Sequence, residues 1–156
     1  MILSEHLNKN NIIIASKSKN RWELIQEMLD LAVKNRGVKE EDRESIKKAL
    51  IEREKSMSTG IGKGVSIPHC TSARVDDIIV VLATCENGID FDAIDNQPVR
   101  ISILLLVPKN KLTQHIKTLA NIAKIMSNDE MREELLTLET PEAVIKKIKK
   151  FETLKK

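Results

Sequence analysis

Among the 156 residues, two of the three histidines and one arginine have settings that invite chemistry. His69 follows Pro68, whose ring fixes φ near −65° and which has no N–H to give. The same proline pushes Ile67 into an extended conformation. An imidazole is therefore held rigidly where a short strand, Val65-Ser66-Ile67, runs out. Just before that strand, Ser58-Thr59-Gly60-Ile61-Gly62-Lys63-Gly64 contains three of the five glycines. Such a loop can turn backbone N–H groups toward an anion, or it can simply make a turn. His115 stands among Leu112, Ile116 and Leu119 on a helical apolar face. A lone histidine there is more often a satisfied core residue than a ligand. Arg53 closes an apolar stripe of Ile46, Ala49 and Leu50. A guanidinium so placed needs a carboxylate or an arriving anion, because it cannot lose its proton. Glu52 and Glu54 are on other faces of that helix and are poor partners for it. His6 lies near the N-terminus and is read as structural or neutral.

Several familiar constellations are excluded. Gly62-Lys63 is followed by Gly64 and not by Ser or Thr, so there is no Walker A loop. A strand, not a helix, follows the glycines, so the dinucleotide fingerprint fails. No Gly-x-Ser-x-Gly elbow is present. A zinc site from His69, Cys70, Cys85 and His115 lacks the paired-ligand spacing of structural zinc.

The elements that must position these residues follow from periodicity. Asn11–Ala15 is β-branched and bounded by Asn and Ser, which predicts a strand. Trp22, Ile25, Met28, Leu29 and Ala32 share one face of a helix over 19–35, with Ser18 as N-cap and Gly37 as stop. A second helix spans 40–55. The apolar runs at 77–84 and 99–107 are unbroken, as in strands covered on both faces. Asn87-Gly88 and Asp95-Asn96 mark turns between them. The rest is helical: 111–127, with an inward face of Leu112, His115, Ile116, Leu119, Ala120, Ile122, Ala123 and Met126; then 129–138; then a last helix opened by Thr140-Pro141-Glu142, with Thr140 as N-cap and Pro141 at the first helical position. The order β, α, α, β, β, β and three helices predicts an α/β fold, a mixed central β-sheet flanked by helices on both faces. One domain over 1–156 is expected, with its core at about 3–151 and loose ends at 1–10 and 153–156.

Composition narrows the function classes. Lys and Arg number 26 against 23 Asp and Glu, a net charge of +3. Aromatic residues make up 2%, too few for the stacking platforms that bind single-stranded nucleic acid. The lysines at 146, 147, 149, 150, 155 and 156 read as the solvated face of the last helix. No apolar stretch nears the ~18 residues a membrane crossing needs. No signal peptide is evident, and two cysteines make no disulfide framework, so a cytoplasmic protein is expected.

The residues then point to a family. Glu52-Arg53-Glu54-Lys55, followed by Ser58 through His69, resembles the signature of the type-2 enzyme IIA domains. These are the fructose/mannitol-type phosphoryl carriers of the phosphoenolpyruvate:sugar phosphotransferase system. The resemblance continues through Asp90–Val99, Leu104-Leu105-Leu106-Val107-Pro108 and His115-Ile116-Lys117-Thr118-Leu119-Ala120, and covers roughly 3–151. Ser66 stands where the family most often has alanine, and Cys70 where it has glycine. The wording is closer to the fructose-type and nitrogen-related branches than to the mannitol-specific one.

This resemblance implies that His69 accepts a phosphoryl group from the phosphorylated carrier HPr, or from its nitrogen-related counterpart. It passes the group to a cysteine of an enzyme IIB, or answers to a regulatory target protein without sugar transport. His115 and Arg53 match the family's second histidine and its arginine, which would donate hydrogen bonds to the transferring oxygens. The attacking imidazole must be neutral, as an unperturbed pKa near 6.5 allows. No metal or organic cofactor is implied, because donor and acceptor are both proteins. Ile61 and side chains of the 111–127 helix are candidates for docking HPr.

Overall fold

The computed structural model describes residues 3–154. Six strands form one mixed sheet: β1 (Ile12–Ser16), β2 (Gly60–Gly62), β3 (Val65–Ser66), β4 (His69–Ser72), β5 (Ile79–Ile89) and β6 (Val99–Pro108). Five α-helices accompany them: α1 (Arg21–Lys34), α2 (Arg43–Ser56), α3 (Leu112–Met126), α4 (Asp129–Leu135) and α5 (Pro141–Leu154). The sheet order is β1-β5-β6-β3-β2, and β4 also pairs with β6.

The two long apolar runs are the central pair, antiparallel from Ile79 opposite Leu106 to Ile89 opposite Val99. Alternation assigns their side chains to two cores. Val80, Leu82, Ile101, Ile103, Leu105 and Val107 face α3, α4 and α5. Val81, Ala83, Leu104 and Leu106 face α1 and α2. Both faces are therefore covered, as the unbroken runs predict.

Where one short strand is expected around Val65–Ile67, the structure has two segments on the same edge of β6. Val65 pairs with Ile101 and His69 with Leu105, both parallel and in one unchanged register. Ile67 and Pro68 interrupt the ladder between them. Pro68 has no N–H to donate, but its carbonyl accepts Leu105 N at 2.9 Å. The glycine-rich segment pairs β2 with β3 through a two-residue turn in which Lys63 (φ 58°) and Gly64 (φ 79°) are both left-handed. Such mirror-image turns match the twist of a tight hairpin.

Several expectations need correction. Ser18 does not cap α1: Asn20 does, accepting from Glu23 N, while Ser18 Oγ donates to Glu27. Asn87-Gly88 is not a turn but part of β5. Its glycine is required because a Cβ there would lie 2.5 Å from Pro98 Cβ. The helix expected over 129–138 ends at Leu135. On α3 the inward face is rotated: Thr118, Ile122, Ile125 and Met126 are buried, whereas Leu112, Ile116 and Ala120 are exposed.

The described ends are not loose. Leu3 is fully buried, and the N–H groups of Leu3 and Ser4 donate to the Glu152 carboxylate of α5 at 2.7 and 3.0 Å. Thr153 is helical. Residues 1, 2, 155 and 156, on which the expected loose ends and the last two lysines partly rest, lie outside the described residues. Thr140 Oγ1 accepts Ala143 N ahead of Pro141, as expected. Lys146, Lys149 and Lys150 are exposed, and Lys147 pairs with Glu134.

Gly88→Ala should keep the fold but lose about 1–3 kcal/mol, because the proline ring facing the new methyl cannot swing aside. Urea unfolding should show a lower midpoint with an unchanged slope. An unchanged midpoint would show that the contact relaxes freely.

Candidate functional site

His69 opens β4 on the sheet face that packs against α3, because its neighbour Leu105 on β6 belongs to that core. The next residue, Cys70, points to the opposite core. From α3, His115 reaches the same place: the two imidazole centroids are 5.2 Å apart with planes inclined at 51°. Residues far apart in sequence are thus brought together by one strand edge and one helix.

The Ile67 carbonyl decides the tautomer of His69. Its Nδ1 lies 2.7 Å from the Ile67 carbonyl oxygen. A carbonyl can only accept, so Nδ1 carries the proton and Nε2 keeps its lone pair. His115 has no such anchor, since its buried Nδ1 has no hydrogen-bond partner among the described residues. A core histidine would have satisfied that atom.

Both imidazoles are held below the ordinary histidine pKa. For His69 the main cause is burial. The Ile67 hydrogen bond opposes it, and the charges of Arg53 and His115 reinforce it. For His115 the causes are burial and then Arg53. The pair is neutral at pH 7, and Arg53 is the cation whose charge acts on both rings.

Arg53 arrives from the last turn of α2 and is half-buried. The buried stripe of α2 runs Ile46, Leu50, Glu54, so Arg53 flanks the core and does not close the stripe as the sequence suggested. Its Nη1 donates to the Met57 carbonyl at 2.6 Å, just past the helix end. Free carbonyls at a helix C-terminus are natural partners for a guanidinium. No carboxylate pairs with Arg53 among the described residues, in keeping with the expectation for Glu52 and Glu54.

Two backbone donors of the glycine-rich segment are committed within the fold. Lys63 N donates to Asp95 Oδ2 at 2.8 Å and Gly60 N to Ser58 Oγ at 3.0 Å. These donors are already committed to the hairpin and its neighbours. Cys70 is buried, and burial pushes its thiol up to about 12, so little thiolate exists at neutral pH. Among the described residues no group of three His, Cys, Asp or Glu could hold a metal ion, and no helix is long and apolar enough to cross a membrane.

One residue escaped the sequence reading. Glu54 is 2% exposed and accepts from Thr59 Oγ1, Thr59 N and Arg21 Nη1. Its phase with Ile46 and Leu50 was the available signal.

Comparison with known proteins adds an independent finding. Residues 5–151 match the family model described as phosphoenolpyruvate-dependent sugar phosphotransferase system, EIIA 2. The fructose-specific EIIA component of Haloferax volcanii is 36% identical over 120 residues, 77% of each chain. The fructose-specific EIIABC component of Bacillus subtilis is 30% identical over 145 residues, covering 93% of this chain but 22% of that longer protein. The crystal structure of nitrogen regulatory protein IIA-Ntr from Neisseria meningitidis superposes with a TM-score of 0.86 at 29% identity, covering 95% of this chain and 99% of the other.

An NMR titration should place both His69 and His115 midpoints below 6.5, since burial and Arg53 each disfavour the charged ring. Arg53→Met should raise both midpoints while leaving them tied to burial. Because the unfolded histidines bind protons more readily, acidification through the region below about 6.5 should also reduce stability. A variant whose two midpoints stay where they were would remove Arg53 from the site.

Proposed function

Because the chain belongs to the phosphoenolpyruvate-dependent sugar phosphotransferase system EIIA 2 family, we propose that it carries a phosphoryl group on Nε2 of His69. The observation that carries this reading is the Nδ1–H bond to the Ile67 carbonyl, which leaves Nε2 as the nucleophilic nitrogen. The Nε2 lone pair attacks the phosphorus of phospho-HPr. The P–N bond to the donor imidazole breaks, and the donor nitrogen keeps the bonding pair. The His69 ring then holds phosphorus on Nε2 and a proton on Nδ1, and the Ile67 carbonyl offsets the positive charge of that ring. In the onward step an enzyme IIB thiolate attacks phosphorus, and Nε2 recovers its lone pair.

The transferring group resembles metaphosphate, with charge spread over three oxygens, so positioning and electrostatics do most of the work. Arg53 supplies the fixed positive charge. His115 supplies an N–H to the same oxygens. No metal or organic cofactor takes part, since both partners are proteins. Met57, Ile61, Leu112 and Ile116 are exposed apolar residues on the segments that carry Arg53, the hairpin and His115. Such a rim suits a transient protein partner burying less than about 1,200 Å².

A second reading is favoured by the end-to-end match to the nitrogen regulatory protein of Neisseria meningitidis. In it the same phosphohistidine controls binding to a target protein and no sugar is moved. Supplying a purified IIB separates the two, because only the transport reading requires the phosphoryl group to move to its cysteine.

Incubation with phosphoenolpyruvate, enzyme I and HPr should add one phosphoryl group, labile in acid and stable in base, mapping to His69. His69→Ala should abolish uptake. His115→Ala should remain folded and take up phosphate about 10²–10³-fold more slowly, the loss typical of one oxyanion-type donor. Arg53→Lys should keep the fold and lose rate, because an ammonium cannot reproduce the planar fork. Uptake by His69→Ala at the wild-type rate, or phosphate found on His115, would reject the assignment.

A further inference from the structure

Glu54 sits beside Arg53 in sequence, yet its carboxylate is turned the other way, into the protein. It accepts from Thr59 Oγ1 and, at 3.2 Å, from Thr59 N. Arg21 Nη1 lies 3.3 Å from the same Oε1 that accepts Thr59 N, and also donates to the Phe91 carbonyl at 3.0 Å. Ser58 Oγ donates to that same carbonyl. The carboxylate therefore fastens the segment leaving α2 to the start of α1 and to the loop after β5. Thr59 does not end the chain of contacts. Its carbonyl accepts Ile67 N at 3.0 Å, and the Ile67 carbonyl accepts His69 Nδ1–H at 2.7 Å. From Glu54 to the imidazole the path is continuous: carboxylate, Thr59, the Ile67 peptide, His69.

A buried carboxylate is costly unless it is fully hydrogen-bonded and paired. An apolar residue in phase with Ile46 and Leu50 would pack the same stripe but leave the Thr59 donors and Arg21 without this partner. What an apolar residue could not do is hold Thr59 from two atoms at once. The Met57 carbonyl on which Arg53 rests belongs to the same short segment between α2 and Thr59. One anchor therefore fixes both the cation and the nucleophile.

We propose that Glu54, through Thr59, is a positioning residue for phosphoryl transfer: it sets the Ile67 carbonyl that orients His69 and the Met57 carbonyl that orients Arg53. This rests on the reading of His69 as the phosphoryl carrier. Glu54 touches neither the phosphoryl group nor the reacting nitrogen. It acts by keeping the lone pair of Nε2 aimed and the guanidinium at a fixed distance. Misplacement of reacting groups by about 1 Å can cost 10²-fold in rate.

The test uses Glu54→Gln, Thr59→Val and Thr59→Ser, each checked for folding by its thermal transition. Two measurements are made on each. One is the rate of phosphoryl uptake as a function of phospho-HPr concentration. The other is the ¹⁵N spectrum and titration of the His69 and His115 rings. Glu54→Gln and Thr59→Val should lower the saturating rate about 10- to 100-fold with little change in the phospho-HPr concentration at half-saturation, because the exposed rim is untouched. In the same variants the His69 ring should lose its fixed Nδ1–H tautomer, and its midpoint should fall, because the Ile67 hydrogen bond that raises it is lost. Thr59→Ser, which restores the hydroxyl, should recover most of the rate and the tautomer. Folded Glu54→Gln and Thr59→Val with wild-type rate and unchanged ring spectra would overturn the proposal. So would a loss of rate with unchanged ring spectra, since that assigns Glu54 to something other than orienting the imidazole. Should the wild-type protein take up no phosphoryl group, the carrier reading fails, while the ring spectra still decide whether Glu54 orients His69.

Discussion

A nucleophilic imidazole needs one nitrogen held and the other bare, and it needs this without a neighbouring carboxylate that would raise its pKa. Here a backbone carbonyl does the holding. The Ile67 oxygen is free for Nδ1 because the Ile67 peptide edge faces away from β6: Ile67 N donates to Thr59 O at 3.0 Å, whereas the Pro68 carbonyl accepts Leu105 N on the β6 edge. The proline withholds an N–H on the β6 edge while its carbonyl keeps the ladder bond to Leu105 N there. Burial and Arg53 then keep both rings neutral, so positive charge arrives in the site only on the arginine or with chemistry on a ring.

The rest of the fold serves that edge. β6 is the strand against which everything is registered, with β5 along one side and β3 and β4 along the other. Helices α3 to α5 cover the face on which His69 lies and bring His115 to it. Helices α1 and α2 cover the other face, and α2 extends far enough for its last turn to present Arg53 around the edge. The site therefore draws on both layers of the sandwich, with the interrupted strand as the seam between them.

Much of this was legible in the sequence, and the exceptions have physical causes. The runs of β5 and β6 declare strands buried on two faces, and Thr140-Pro141 declares a helix start. Asn87-Gly88 misleads because a glycine required by close approach to Pro98 looks the same as one required by a turn. The glycines at 60–64 mislead likewise, since a tight hairpin and an anion nest share their composition. The phase of α2 is ambiguous by one residue in the sequence, because Arg53 fits a stripe pattern as well as Glu54 does. Only the buried pairing with Thr59 and Arg21 distinguishes them, and Arg21 is distant in sequence. The convergence of His69 and His115 followed from family resemblance, since no local periodicity relates a strand edge to a later helix. The tautomer of His69 was beyond sequence altogether, as it depends on where one carbonyl points.

Arg21 does more than reach Glu54 and Phe91. Its guanidinium lies over the indole of Trp22 at 4.5 Å from the ring centroid, an attractive cation–π arrangement. Trp22 is the one tryptophan of the chain, and there is no tyrosine. The indole emission is therefore an undiluted optical signal from the outer end of the hydrogen-bonded path that leads through Glu54 and Thr59 to the imidazole. The protein thus carries one fluorophore, stacked on the guanidinium at the Glu54 end of that path.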